Sequence, residues 1–452
     1  MPTRHGVFAT EAATSVSTVN TAASGIPFVI GVAPLSKAPA ATRAAANVPF
    51  LATSYSEAAA ALGYDDHWTD YTLCEFMYYH FKSAACQPVI FLPLTETLAT
   101  QKFSGDGSAV EFTVTAKPDT ILSATVGGTE AAISSYDKAS GKVTLAAAPA
   151  AGTENVVVTH LVKPSAADVA AAVEKIDLCM AQFSIIPDLI AAPGFSHEAT
   201  VAAAMAAKAG AINGLFRGKA VVDIDADSYT AAVTAKNGGS FTEDMIVCWP
   251  CAKSGDLLFH GSTLEIGRMA ATDTANEGVP YESPSNKTVS IDGLCTSAGT
   301  EIILTKAQGD ILNNAGINTF LNFIGGFRAW GNVTGCYPTN ADVKDYFIPV
   351  SRMFDWIGNT LIKTFWNKLD KPMNRRLIDS IVDSANIWLN GLTGRGYLLG
   401  GRVEMLESEN PLTDLMAGIL RVHVYMTPPS PAQEINFTLE YDASYVQSAL
   451  AA

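Results

Sequence analysis

The chain has 452 residues, 48% of them hydrophobic and 16% charged, with 35 glycines and 22 prolines, so it can bury large cores, divide into two or three domains, and is neither collagen-like nor disordered. A formal net charge of −15 argues against nucleic acid or an anionic membrane as the main partner, since both need concentrated Lys and Arg. Seven scattered cysteines do not make a disulfide framework, and most are expected as small buried thiols.

In chain order, the opening Met1-Pro2-Thr3-Arg4-His5-Gly6 precedes no apolar signal region, and no later segment reads as a lipid-spanning stretch, so synthesis in the cytoplasm is expected. Gly6 to Glu11 is a short strand-like run, followed by polar Ser/Thr/Ala sequence up to Gly25. Residues 26–33 and 88–93 are short apolar runs bounded by Pro or Gly, which predicts buried strands, with an aromatic-rich helix over 71–82 between them. From Ser165 helices and strands alternate. A helix to 183, a strand over 187–192, a helix over 196–209 and a strand over 219–225 lead to a short helix near 229–236, a strand over 244–249 and helical sequence near 264–271. Ser165 with Asp168 is a capping-box signature, and Gly210 closes the second helix. This order implies an α/β fold, a mainly parallel sheet flanked by helices on both faces.

Residues 95–163 read differently, as β-prone runs separated by Gly, Asp and Pro turn signals with no helical period. They are expected as a small all-β domain inserted into one βα loop of the body and exposed on the surface.

The chemical motifs are weak. Cys248-Trp249-Pro250-Cys251 has the spacing of a redox dithiol or half a zinc site, yet no second half exists and no helix opens after it; a strand-end turn with two inert thiols is the reading adopted. Gly194-Phe195-Ser196-His197-Glu198 begins like a nucleophile elbow but lacks the final glycine, and the adjacent side chains of Ser196 and His197 would diverge at a helix start, so Ser196 is expected as an N-cap. Asp223, Asp225 and Asp227 resemble the start of a calcium loop, with Ser228 in place of the turn glycine and Thr234 in place of the bidentate Glu. The glycines of Gly391-Leu392-Thr393-Gly394-Arg395-Gly396 lack the ending of a phosphate loop and are expected as a flexible loop. No catalytic, metal or cofactor site is assigned.

The chain ends are more informative. Leu420, Val422 and Val424 alternate with polar residues, then Pro428, Pro429 and Pro431 interrupt, then Ile435, Phe437, Leu439 and Tyr441 alternate against Glu434, Asn436, Thr438 and Glu440. That pattern is a half-buried strand after a stiff linker. It is either an edge strand of the same domain or, with the N-terminal run, one of two extendable termini suited to strand exchange between subunits.

These residues carry a resemblance. His5 to Glu11 followed by Thr21 to Gly31, Gly278-Val279-Pro280-Tyr281-Glu282-Ser283-Pro284-Ser285-Asn286-Lys287, Asn313-Asn314-Ala315-Gly316-Ile317-Asn318, Gly326-Phe327-Arg328-Ala329-Trp330-Gly331-Asn332-Val333-Thr334, Lys371-Pro372-Met373-Asn374, the Gly-rich turn, and Pro428 to Tyr445 stand in the order found in contractile tail sheath proteins. The sequence resembles that family along nearly its whole length except the β insertion. The resemblance implies a subtilisin-like topology without a protease site, an α+β C-terminal domain, and extended terminal arms. It divides the chain into an N-terminal arm at 1–24, core at 25–94, β insertion at 95–163, core at 164–290, C-terminal domain at 291–431, and strand and arm at 432–452. It further implies a homo-oligomer of hexameric rings stacked around a tail tube protein, with baseplate and tail terminator partners, no cofactor, no nucleic acid and no membrane insertion. Such a sheath sits in a virion tail or tailocin, is assembled in the host cytoplasm, and contracts to drive the tube through a target envelope. The expected exchange residues are Val7, Phe8, Ala9, Ile435, Phe437, Leu439 and Tyr441. The expected tube-facing surface is in the C-terminal domain, where residues 361–402 hold seven basic and three acidic side chains; Lys363, Lys368, Lys371, Arg375 and Arg376 are the candidates. The rival classes are an α/β hydrolase using Ser196 and a non-contractile capsid or tube protein.

Overall fold

The computed structural model describes residues 18–86, 88–118 and 120–451. Val7, Phe8 and Ala9 lie outside the described residues. The chain enters β1 (Pro27–Val32) and β2 (Phe50–Ala52), then α1 (Tyr55–Leu62), α2 (Thr72–Tyr78) and β3 (Val89–Leu94). Ser54 starts α1 by accepting the Glu57 amide, and Gly63 at φ +76° lets the chain leave it. Next come β4 (Thr97–Gly105), β5 (Glu111–Thr113), β6 (Ile121–Val126), β7 (Thr129–Ala131), β8 (Ile133–Asp137), β9 (Lys142–Leu145) and β10 (Gly152–Val162). The alternation then follows as α3 (Ala166–Ala172), α4 (Leu178–Phe183), β11 (Leu189–Ala191), α5 (Ala199–Ala209), β12 (Lys219–Asp223), α6 (Tyr229–Gly238) and β13 (Met245–Cys248). The Ser165–Asp168 capping box forms at α3 as its spacing indicates.

The central sheet has the order β13-β12-β11-β1-β3-β2, parallel throughout except for the antiparallel edge strand β2. Its side chains alternate between two cores, because successive residues of a strand point to opposite faces. Phe28, Ile30, Ile90, Leu92 and Val222 meet α3, α5 and α6 on one face, while Val29, Phe91, Leu189, Val221 and Ile246 meet α1 and α2 on the other. With both faces covered, every strand reads as a continuous apolar run.

Strands β4 to β10 pair only among themselves, in one sheet of order β4-β10-β6-β7 and another of order β5-β9-β8, around Phe112, Val143, Val156 and Val158. They leave the body after β3 and return to it before α3.

Beyond β13 the chain forms β14 (Cys251–Ser254), β15 (Leu257–Phe259), α7 (Gly261–Ala275), β16 (Gly293–Cys295), β17 (Glu301–Ile302), α8 (Lys306–Asn314), β18 (Thr319–Asn322) and β19 (Phe327–Trp330). The C-terminal part comprises α9 (Val343–Tyr346), α10 (Ile348–Phe365), α11 (Arg375–Gly394), β20 (Gly400–Glu404), α12 (Leu412–Met416), β21 (His423–Thr427) and α13 (Ser444–Leu450). Among the described residues no helix is long and apolar enough to cross a membrane.

Two local expectations change. Gly391 and Gly394, expected in a flexible loop, form the last turn of α11, where Leu389 and Leu392 are fully buried; their packing outweighs a glycine penalty of about 1 kcal/mol per residue. The run from 434 to 441, expected as a half-buried strand, has no ladder partner among the described residues. Ile435, Phe437, Leu439 and Tyr441 are 69%, 86%, 94% and 80% exposed. A strand buries a face only when something lies against it, and among the described residues nothing does.

Candidate assembly surface

In an open α/β sheet, ligands bind beyond the carboxyl ends of the parallel strands. Here that end is filled by hydrogen bonds. Asp223, at the end of β12, accepts Ser196 Oγ at 2.7 Å, Ser262 Oγ at 2.5 Å and the Ser262 amide at 2.7 Å, and its own amide donates to Ser196 Oγ at 3.0 Å. Ser196 is therefore not the N-cap of α5, a place taken by Glu198; it ties the β11–α5 turn to β12 and to the first turn of α7. Ser196 is 1% exposed, so its hydroxyl is closed off from a substrate in solution. The neighbouring histidines are engaged elsewhere, His197 beside Glu198 at 3.6 Å and His260 Nδ1 on Glu75 at 2.7 Å. Burial opposes the charge on His260, but the Glu75 carboxylate holds its proton up to about 9. Cys248 ends β13 and Cys251 begins β14, and burial pushes both thiols well above the ordinary value, so neither supplies a thiolate at neutral pH. No cluster of three metal-ligating side chains occurs among the described residues.

The C-terminal part presents surfaces of another kind. Along α10, Thr360 and Thr364 accept the backbone amides of Ala22 and Asn20, each at 3.0 Å, and Trp356 Nε1 donates to the Ala22 carbonyl at 2.9 Å. As residue numbers fall from 22 to 20, the helix residues that hold them rise from 360 to 364. The segment thus runs antiparallel to α10 and is fixed near its C-terminal end. Trp356 also packs on Trp388 of α11 with ring centroids 5.6 Å apart. Below this strap, Arg352 pairs with Asp273 and Asp188, Ser24 Oγ donates to Asp273 at 2.6 Å, and Lys219 reaches Asp355 at 2.8 Å.

Strands β20 and β21 form a two-stranded antiparallel ladder, backed by α11. Val403 of β20 donates its amide to Asn386 Oδ1 and accepts from Asn386 Nδ2, each at 2.8 Å, so α11 already occupies that strand's free side, while no third strand pairs with β21 among the described residues; an open edge is the usual template for a further strand. Beside the ladder an apolar groove of about 400 Å³ runs between α10, α11 and the sheet, lined by Leu361, Phe365, Leu377, Val403 and Val424. The unpaired segment with Ile435 to Tyr441 leaves from the end of β21 itself.

The five basic candidates do not share one environment. Lys371, Arg375 and Arg376 are exposed before and at the start of α11, with Arg375 paired to Asp379 at 2.9 Å. Lys368 is half-buried, 3.4 Å from Ser380 Oγ. Lys363 turns to the strap, donating to the Thr21 carbonyl at 3.1 Å, and burial lowers its pKa.

Several structural residues carry no sequence signal of their role. Asn318 is buried between β13 and the loop after β19, its amide nitrogen on the carbonyls of Val247 and Val333 and its oxygen accepting the Val333 amide. A methyl group on Gly331 would lie 2.5 Å from that oxygen, and one on Gly316 would lie 2.2 Å from the Tyr337 carbonyl. The two glycine- and asparagine-rich stretches are thus the buckle that joins β18 and β19 to the central sheet.

No family model matches the chain. Among solved structures, the sheath complex of an extracellular contractile injection system, PVC, in its contracted state covers 98% of this chain and 99% of its own, with a TM-score of 0.62 and 16% identity. The fold is that of contractile sheath subunits. The tail sheath protein of Burkholderia phage BcepMu is 27% identical over 275 residues, covering 57% of this chain and 56% of the relative. A putative prophage major tail sheath protein of Pseudomonas aeruginosa strain UCBPP-PA14 is 26% identical over 277 residues, covering 60% of this chain and 68% of the relative. The chain thus spans just over half the length of the BcepMu protein it matches. In sequence the chain is thus similar to tail sheath proteins of phages and a prophage, and in fold to contractile sheath subunits.

Proposed function

We propose that the chain is the repeating subunit of a contractile tail sheath, polymerising as stacked hexameric rings around a tail tube and contracting to drive that tube through a target envelope. The observation that carries this reading is the segment 435–441, an alternating apolar run whose Ile435, Phe437, Leu439 and Tyr441 are exposed, following a two-stranded sheet to which no third strand is added among the described residues. A neighbouring copy supplies what the segment lacks. Backbone hydrogen bonds give the link strength, and the two-residue side-chain period fixes its register, because a slip of one residue would turn Phe437 and Leu439 toward water. Val7, Phe8 and Ala9 take the matching role at the other end.

On this reading residues 1–24 and 432–452 are arms, 25–94 with 164–290 are the core, 95–163 are a surface insertion, and 291–431 face the tube. The subtilisin-like topology serves as a rigid body. The extended state is held by a barrier, and a gain of only ~1 kcal/mol per subunit on contraction adds up over linked copies. The tube protein, baseplate and tail terminator are the partners, and the particle is a virion tail or a tailocin assembled in the host cytoplasm. The hydrolase alternative is disfavoured by Ser196, which is 1% exposed, and by His197 and His260, which are engaged with Glu198 and Glu75. Electron microscopy of the purified, assembled protein tests the proposal. Long tubes with cogwheel cross-sections in a long narrow and a short wide form are expected; capsid shells, or tubes of one fixed length per ring, would overturn it.

A further inference from the structure

Cys251 opens β14 and Cys295 closes β16, and the antiparallel register sets the two directly opposite each other. Directly opposed residues of an antiparallel pair project to the same face with Cβ atoms about 4.5–5.5 Å apart. A disulfide needs roughly 3.5–4.5 Å between Cβ atoms, so a small slide of one strand is enough. The next pair in the ladder, Ala252 and Leu294, faces the other way, into the core with Phe259 and Leu264, and pins the register. Both sulfurs are free thiols; Cys295 is buried and Cys251 is partly exposed, so a reagent meets Cys251 first. Cys248, three residues earlier, is turned toward α7, where a methyl group on Gly261 would lie 3.0 Å from its Cβ.

We propose that Cys251 and Cys295 are a dithiol that closes to a cross-strand disulfide on meeting a small-molecule disulfide such as oxidised glutathione. The Cys251 thiolate attacks one sulfur of the reagent, the reagent's S–S bond breaks, and one glutathione leaves as its thiol. The Cys295 thiolate then attacks the Cys251 sulfur of the mixed disulfide and expels the second glutathione. Two protein thiols are oxidised and one reagent disulfide is reduced, with no other redox partner. Burial and the Asp223 and Glu75 carboxylates push the Cys251 thiol up, and burial raises Cys295, so the closure is slow at neutral pH and the pair stays reduced in a reducing compartment. The bridge closes the chain around α7, the helix that carries Asp273. The chemistry does not depend on the sheath reading; if that reading holds, a particle released from the cell hardens in oxidising surroundings.

The purified full-length chain is incubated for several days with oxidised glutathione at about pH 9.5, above the ordinary thiol pKa because burial raises both thiols, then denatured and alkylated. Free thiols should fall from the seven of the reduced chain by two. A non-reducing peptide map should join the Cys251 and Cys295 peptides. The Cys295→Ala variant should give no such link and instead hold one glutathione on Cys251. All seven thiols persisting in the wild-type protein, or a map joining Cys251 to Cys248, overturns the assignment, and both results come from the wild-type chain alone.

Discussion

The guanidinium of Arg352 lies 2.5 Å from the carboxylate of Asp273, a pair 79 residues apart in sequence and almost wholly buried. Asp188 at 2.8 Å adds a second carboxylate and Ser24 joins the same cluster, so one arginine of α10 holds α7, the entry to β11 and the N-terminal strap together. Burial alone would favour a neutral carboxyl on Asp273, and Arg352 opposes that. Replacing Arg352 by Met leaves Asp273 and Asp188 without a counter-charge and should lower stability by about 3–5 kcal/mol. Urea unfolding followed by tryptophan fluorescence reads the loss, and an unchanged midpoint would show that the cluster is not a clasp between core and α10.

His80 should make the protein acid-sensitive. It is fully buried, stacked on Phe76 with centroids 5.4 Å apart, and neither ring nitrogen has a partner. Burial pushes its pKa down to about 3. In the unfolded chain an ordinary histidine titrates near 6.5, so between those values the unfolded state holds more protons and stability falls as the pH drops. Glu265 works in the opposite sense, because burial raises it to about 7; its contribution is present below the ordinary carboxylate value and is lost as pH rises through 7. The His80→Leu variant should therefore keep the Glu265 decline as pH rises toward 7 and should gain roughly 3 kcal/mol relative to wild type on going from pH 7 to pH 4. Denaturant midpoints across that range check it.

The parts of the fold legible in the sequence are those set by local pattern. Phe28 and Ile30 announce a buried strand because both faces of β1 are covered, and Ser165 with Asp168 marks a helix start through contacts only three residues apart. Bonds between distant segments were not legible. Ser196 is an apparent cap until Asp223, 27 residues on, claims its hydroxyl. Arg352, Asp273, Asp188 and Ser24 lie in four separate segments, and only the fold brings them together. The tail is the instructive case, since the alternation at Ile435 to Tyr441 reads as a strand, yet a strand is a property of a pair and the described residues hold only one member.

Truncation after Pro429 should leave a folded protein that does not polymerise. The cut preserves β21, whose residues 423–427 pair with β20, whereas an end at Tyr425 would remove the last rungs of that ladder. The segment lost contributes almost no buried surface within the chain. An unchanged melting temperature with no sedimenting assemblies is expected; normal tubes from the truncated chain would exclude a role for 435–441 in assembly.

Deleting residues 97–162 should be tolerated. Thr97 and Val162 are directly paired at the base of β4 and β10, so a bridge of a few Gly and Ser residues spans the gap without moving β3 or α3. The inserted strands have their own core around Phe112 and Val158. The shortened chain should melt within a few degrees of the full one and still form tubes. A soluble variant that makes none would place the insertion inside an interface.

The last expectation concerns the basic surface, where Lys371, Arg375 and Arg376 remain as exposed candidates once Lys363 is assigned to the strap. Exposed ion pairs are worth about 0.2–1 kcal/mol each. If these side chains meet acidic groups on the tube, each contact is weak enough to release as the sheath widens, while many copies acting together hold the extended state. The Arg375–Asp379 pair at 2.9 Å already spends part of that charge within α11, so Lys371 and Arg376 should carry the larger share. Changing Lys371, Arg375 and Arg376 to Glu reverses three charges without touching the buried face of the helix, which is formed by Ala385, Trp388, Leu389 and Leu392. The variant should fold and self-associate normally but bind the extended tube poorly, and rising salt should produce the same defect in the unmodified protein, because the Debye length shrinks from about 10 Å at 0.1 M to about 3 Å at 1 M. The fraction of tubes carrying extended sheath, counted by electron microscopy across that salt range, is the measurement. A fraction equal to wild type in the triple variant would move the tube-facing surface elsewhere on the chain.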